Sequence, residues 1–174
     1  FHSTTIGAVY DNHNSALGAN LFDNETFDDT TASYVTTNCN YDISGTGITL
    51  NGTGTGDGVN QYVTLPTMTV VSGEPYLLSF DITATNSSNS GVIVEAGTNE
   101  FVKKNYDYYE DLNGSGSSAD HYWYPGTVGT HETIIIPDST SLILRLHIGI
   151  ALGVVTSFDN VKVRKLGGNA GVMK

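Results

Sequence analysis

The chain has 174 residues, the size of one ordinary domain with room for short arms. Its 7 lysines and arginines stand against 18 acids, a net charge of −11 that excludes nucleic acid and anionic membrane surfaces as partners, because both are held by basic side chains. Cys39 is the only cysteine, so an intrachain disulfide and a multi-cysteine zinc site are excluded too. Charged residues make up 14%, against roughly 25% in a typical soluble domain, and the gap is filled by small polar residues and 20 glycines. The bases are unevenly placed: residues 1–102 hold 11 acids and no base, while residues 103–174 hold 7 of each. The best apolar stretch, Ile148 to Val155, is far shorter than the roughly 20 residues of a membrane span, so no membrane insertion is expected. The chain opens on Phe1 with no charged-then-apolar leader and reads as a processed or excised piece of something larger.

In chain order, residues 1–19 read as an N-terminal arm and 20–166 as a single domain of short strands. A glycine-rich loop, Gly52 to Gly58, comes first among the breaks. Tyr76 to Ala84 then alternates cleanly, with Tyr76, Leu78, Phe80, Ile82 and Ala84 on one face and Ser79, Asp81 and Thr83 on the other. After the Asn86–Gly91 turn, Val92, Val94 and Ala96 repeat the pattern with Glu95 outward. Beyond the Asn113–Ser118 loop lie a strand at Ile134 to Ile136 and another at Leu142 to Ile150, whose Leu142, Leu144, Leu146 and Ile148 oppose Arg145 and His147. The last strand, Phe158 to Leu166, turns Val161 and Val163 inward, and residues 167–174 form a glycine-rich tail. Helical periodicity is almost absent. These features predict an all-β, two-sheet antiparallel sandwich or jelly roll, with Tyr76, Leu78, Phe80, Ile82, Leu144, Leu146 and Val161 in its core.

Three segments carry a resemblance. Asn20 to Asp28 reads N-L-F-D-N-E-T-F-D, Gly73 to Asp81 reads G-E-P-Y-L-L-S-F-D, and Ser157 to Val163 reads S-F-D-N-V-K-V. In this order and spacing they resemble the "N-L-x-x-N-G-x-F-E", "G-x-x-Y-x-L-S-F-D" and "F-D-D/N-V-x-V" segments of carbohydrate-binding modules of the CenC-like jelly-roll type, within the galactose-binding-like sandwiches. Glu25 departs from the pattern, which has glycine there. The resemblance implies a jelly roll over residues 20–166. It also implies a structural calcium ion tying the first strand to the last, held by Asp28 and Asp159.

The densest aromatic cluster is Tyr106, Tyr108, Tyr109, Tyr122, Trp123 and Tyr124, interleaved with Asn105, Asp107, Glu110, Asp111, Asp120 and His121. Sugar rings stack their C–H faces on aromatic rings and bond their hydroxyls to polar neighbours, so this stretch suits a neutral glycan. It equally suits contact with neighbouring protein subunits, where Tyr and Trp are enriched, or plain core packing. Tyr108, Tyr122 and Trp123 are expected to include at least two accessible rings.

Enzyme signatures are missing: there is no G-x-S-x-G elbow and no H-E-x-x-H pair, and the five histidines are scattered without ligand spacing. Two function classes remain open. One is a non-catalytic carbohydrate-binding or adhesion module of an extracellular or virion-associated protein. The other is a structural subunit, such as a virion decoration, tail-fibre or surface-filament protein, that forms homo-oligomers through its terminal arms.

Overall fold

A computed structural model of the chain describes residues 17–54, 60–95, 103–104, 110–111, 120–137 and 139–167, with the backbone alone at 103–104, 110–111 and 120–122. Every regular element among them is a strand. The order is β1 (Leu17–Asn20), β2 (Val35–Thr37), β3 (Cys39–Ile43), β4 (Ile48–Gly52), β5 (Gln61–Thr64), β6 (Met68–Thr69) and β7 (Tyr76–Thr85). It continues with β8 (Gly91–Glu95), β9 (Lys103–Lys104), β10 (Glu110–Asp111), β11 (Asp120–Trp123), β12 (Gly129–Ile136), β13 (Ser141–Gly149) and β14 (Val155–Leu166).

The strands form two sheets. The larger has eight, in the order β10-β9-β12-β7-β14-β4-β3 with β1 on β14; the smaller has six, in the order β11-β8-β13-β5-β2 with β6 on β13. All pairings are antiparallel. The chain therefore folds as the antiparallel β-sandwich its alternation implies.

The period-two pattern explains which side chains meet between the sheets. From β7, Tyr76, Leu78, Phe80 and Ile82 enter the core; from β13, Leu142, Leu144, Leu146 and Ile148; from β14, Phe158, Val161 and Val163. Ala84, expected beside them, is exposed instead. The register slips between Ser157 and Phe158, where β14 passes Ala84, and the strand end leaves the core there. At one side of the core, Phe22, Phe27, Tyr34 and Tyr41 run ring to ring at 5.6, 6.1 and 5.8 Å.

The opening motif works as a clamp. The Asn20 amide donates to the Phe22 carbonyl at 2.7 Å and to Glu25 at 2.8 Å, while its oxygen accepts from the Val163 N–H at 2.8 Å. Glu25 also lies 3.7 Å from Arg164, so a carboxylate in place of the pattern's glycine ties the turn to β14. Leu17 pairs with Leu166, which carries the sandwich into the segment read as an arm; Asn20 is not its first paired residue. The remainder of both arms, residues 1–16 and 168–174, lies outside the described residues.

A bulge in β14 sets Asn160 and Val161 against the single residue Phe80, between the Asp159–Asp81 and Lys162–Ser79 pairs. Asn160 takes a positive φ of 50°, and its amide donates to Asp81 at 2.7 Å, which holds the kink. This places Asp81, Asp159 and Asn160 together where the closing motif lies.

Candidate functional site

The smaller sheet's outer face is built in rows by strand register. One row runs Thr37, Tyr62, His147, Gly91 across β2, β5, β13 and β8. The next runs Val35, Thr64, Arg145, Ile93 and the backbone position of Tyr122; a third runs Ile143, Glu95 and the position of Asp120. The alternate residues Val63, Val92, Val94, Leu144 and Leu146 belong to the core, so these rows face away from it.

Two features mark this face. The Arg145 guanidinium lies over the Tyr62 ring, 5.2 Å from its centre, and contacts Glu95. Tyr124 stacks on His147 with ring centres 4.6 Å apart and 23° between planes. Gly91 makes the second arrangement possible: a side chain there would meet the Trp123 carbonyl at 2.1 Å and Tyr124 Cα at 2.8 Å. Only glycine lets the 123–125 segment cross so closely.

His147 is 1% exposed, and burial pushes its pKa below the ordinary histidine value. Its Nδ1 lies 3.0 Å from the Asn89 carbonyl and 3.2 Å from the Gly149 nitrogen, while Nε2 has no hydrogen-bond partner among the described residues. Protonation would bury a second N–H without an acceptor. The unfolded chain therefore takes up a proton below about pH 6.5 that the folded protein refuses. Its contribution is fully present above that pH and is lost as pH falls toward the depressed folded value. Urea midpoints should accordingly fall between pH 7.5 and pH 5.5, and H147Q should flatten that dependence; an equal pH slope in both proteins would contradict it.

The residues expected to bind separate on inspection. Trp123 stands opposite Val92 and packs against the core, edge-on to Phe80 at 5.1 Å and near His131 at 6.4 Å. Strand alternation turns it to the inner face, so it is a half-buried packing ring. Tyr124 is half-buried on the outer side through its stack on His147. Tyr122 is placed by backbone only, opposite Ile93, and Tyr106, Tyr108 and Tyr109 lie outside the described residues. Tyr62 was missed in the sequence. Its signal is the alternation of Gln61, Val63 and Leu65 against Tyr62 and Thr64, brief and preceded by glycines.

Asp28 and Asp159 do come near one another. Burial raises the Asp159 pKa most, the Asn160 N–H offsets it, and the charges of Asp81 and Asp28 raise it further. Asp28 is exposed and accepts from the Thr26 hydroxyl at 2.6 Å. Among the described residues, no group of three or more His, Cys, Asp or Glu side chains is arranged to hold a metal, so carbonyl oxygens would have to supply most of a calcium shell.

A groove of about 320 Å³ lies on the opposite sheet, on its outer face, lined by Leu77, Ser79, Asp81, Glu132, Lys162 and Arg164 among others. None of its lining residues is aromatic. It is therefore poorly suited to stacking a sugar ring, and the face of the smaller sheet that carries Tyr62 and Tyr124 is the better candidate.

Solved structures share this fold. The second N-terminal cellulose-binding domain of Cellulomonas fimi β-1,4-glucanase C matches with a TM-score of 0.51 and 15% identity, over 87% of this chain and 97% of that one. The chain has the fold of a carbohydrate-binding module. An arabinose-bound MgGH51 α-L-arabinofuranosidase matches with a TM-score of 0.53 and 15% identity, over 86% of this chain and 27% of that one, so this chain spans about a quarter of that enzyme's length. A CBM4 structure matches with a TM-score of 0.44 and 12% identity, over 81% of this chain and 83% of that one. No family model matches the sequence, and no curated protein is similar to it at a significant level.

Proposed function

We propose that the domain is a non-catalytic carbohydrate-binding module whose ligand, a neutral glycan, lies across the outer face of the smaller sheet. One observation carries this reading: register gathers the half-buried Tyr62 ring and the Arg145–Glu95 pair on one sheet face, with Tyr124 beside them, stacked on the buried His147. Rings offer stacking surface, and the charged pair offers a donor and an acceptor for hydroxyls. Tyr106, Tyr108, Tyr109 and Tyr122 stay candidates by residue type alone. The role implies exposure outside a cell or on a virion surface, where such polymers are met. A glycan array on the domain tests it: binding to one or more neutral glycans is expected, and a blank array contradicts it.

Structural calcium between Asp28 and Asp159 is the second part of the proposal. Its support is that Asp159 stands beside Asn160 and Asp81 in the closing motif, where, after burial, the charges of Asp81 and Asp28 raise its pKa, so a cation there would meet negative charge. An ion held only by the folded state at about 100 times its Kd stabilises by about 2.7 kcal/mol. For a chain of this size, chelator should then lower Tm by roughly 5–10 °C, and calcium should restore it. D159N should abolish the response, and an unchanged Tm in chelator would contradict the site.

A further inference from the structure

We propose that the groove on the larger sheet binds a free amino acid with an apolar side chain, its ammonium group at Glu132 and its carboxylate at Lys162. The inference is independent of the carbohydrate reading, and either can fail alone. Glu132 on β12 and Lys162 on β14 both pair with Ser79 of β7, one from each side, so the three form one row across three strands. Their neighbours along the strands, Leu78, Phe80, Thr133, Val161 and Val163, are buried, so the row faces outward. Ser79 makes the floor at 8% exposure, while Lys162 is half-buried and Glu132 exposed.

The charged side chains that line the groove are not equivalent. Asp81 accepts from the Asn160 amide at 2.7 Å, and Arg164 lies 3.7 Å from Glu25. Glu132 and Lys162 make no ion pair and no side-chain hydrogen bond among the described residues. Asp159 feels the charge of Lys162 only from beyond ion-pair distance. Two strand spacings, roughly 9.6 Å, separate the backbones of Glu132 and Lys162. Allowing about 2.8 Å for a charge-assisted contact at each end leaves roughly 4 Å between the ligand's nitrogen and its carboxylate, the span of an amino acid. A lone anion would face Glu132 and a chain of net charge −11, and a lone cation would face Lys162, so a molecule carrying both charges suits the row. Leu77, the next outward residue of β7, and Leu17 line the same groove and offer apolar contact to a side chain within its volume of about 320 Å³.

Backbone-amide shift titrations of the wild type, E132Q and K162M with leucine, N-acetyl-leucine and leucinamide test the proposal. Leucine should move the amides of Ser79, Glu132 and Lys162 in the wild type and saturate with a Kd of about a millimolar, since both contacts are partly open to solvent. N-acetyl-leucine lacks the ammonium group and leucinamide lacks the carboxylate, so each should bind the wild type about tenfold more weakly or worse. E132Q and K162M, which change only outward side chains, should keep the wild-type spectrum away from the groove and lose about tenfold in leucine affinity. If either variant does not fold, the blocked probes on the wild type decide: weaker binding of both supports the site, and equal binding overturns it. No saturable shift with leucine up to about 50 mM, shifts centred outside the groove, or unchanged affinity in the folded variants overturns it too. None of these results bears on Tyr62 and Tyr124, so the carbohydrate reading is judged by its own glycan array.

Discussion

Replacing Phe80 with alanine is expected to destabilise the domain by about 3–5 kcal/mol and to lower Tm by roughly 10 °C. The side chain is fully buried in the middle of β7, and its ring meets Trp123 at 5.1 Å, His131 at 5.5 Å and Phe158 at 6.2 Å. These partners come from three other strands in both sheets. A cavity at Phe80 cannot close by moving one neighbour, because β7 is paired on both sides, to β12 and β14. The cost should therefore lie well above that of a surface substitution, which is usually within about 0.5 kcal/mol. Urea or thermal unfolding of F80A measures it, and a loss under about 1 kcal/mol would contradict the packing described.

Replacing Tyr62 with alanine should separate binding from stability. The ring is half-buried on the outer face, and the Cys39 thiol bonds its carbonyl rather than its side chain. Folding should lose about 1 kcal/mol, chiefly the contact with Arg145. Glycan affinity should fall by roughly 30-fold, the scale of an aromatic anchor worth about 2 kcal/mol. Y124A should weaken binding less and destabilise more, since its ring covers His147. Unchanged affinity in folded Y62A would remove Tyr62 from the site.

The long strands announce themselves in the sequence. Tyr76 to Ile82 and Leu142 to Ile148 alternate over enough residues to mark their core faces, whereas in β14 only the bulge at Asn160 and Val161 brings Phe158 to the same side as Val161 and Val163. The early strands do not, because Val35–Thr37, Cys39–Ile43 and Gln61–Thr64 are short and rich in Thr and Asn. Their identity comes from the partners they pair with. The same limit hides the candidate site: Tyr62, Gly91 and His147 become neighbours only because β5, β13 and β8 pair side by side. A run of aromatics is visible in one dimension, so it draws attention to Trp123, whose strand position turns it inward. The opening and closing motifs were legible as a pair, and their function is now physical. Asn20 and Glu25 fasten the first turn to β14, and the Asn160 bulge orients Asp81.

The central claim is that the smaller sheet's outer face, and not the groove on the larger sheet, receives the glycan. Backbone-amide shift mapping during titration with a neutral oligosaccharide tests it most directly. The account expects the perturbed amides to cluster at Tyr62, Thr64, Ile93, Arg145 and His147. Perturbations centred on Ser79, Glu132 and Lys162, or spread without a centre, would contradict it.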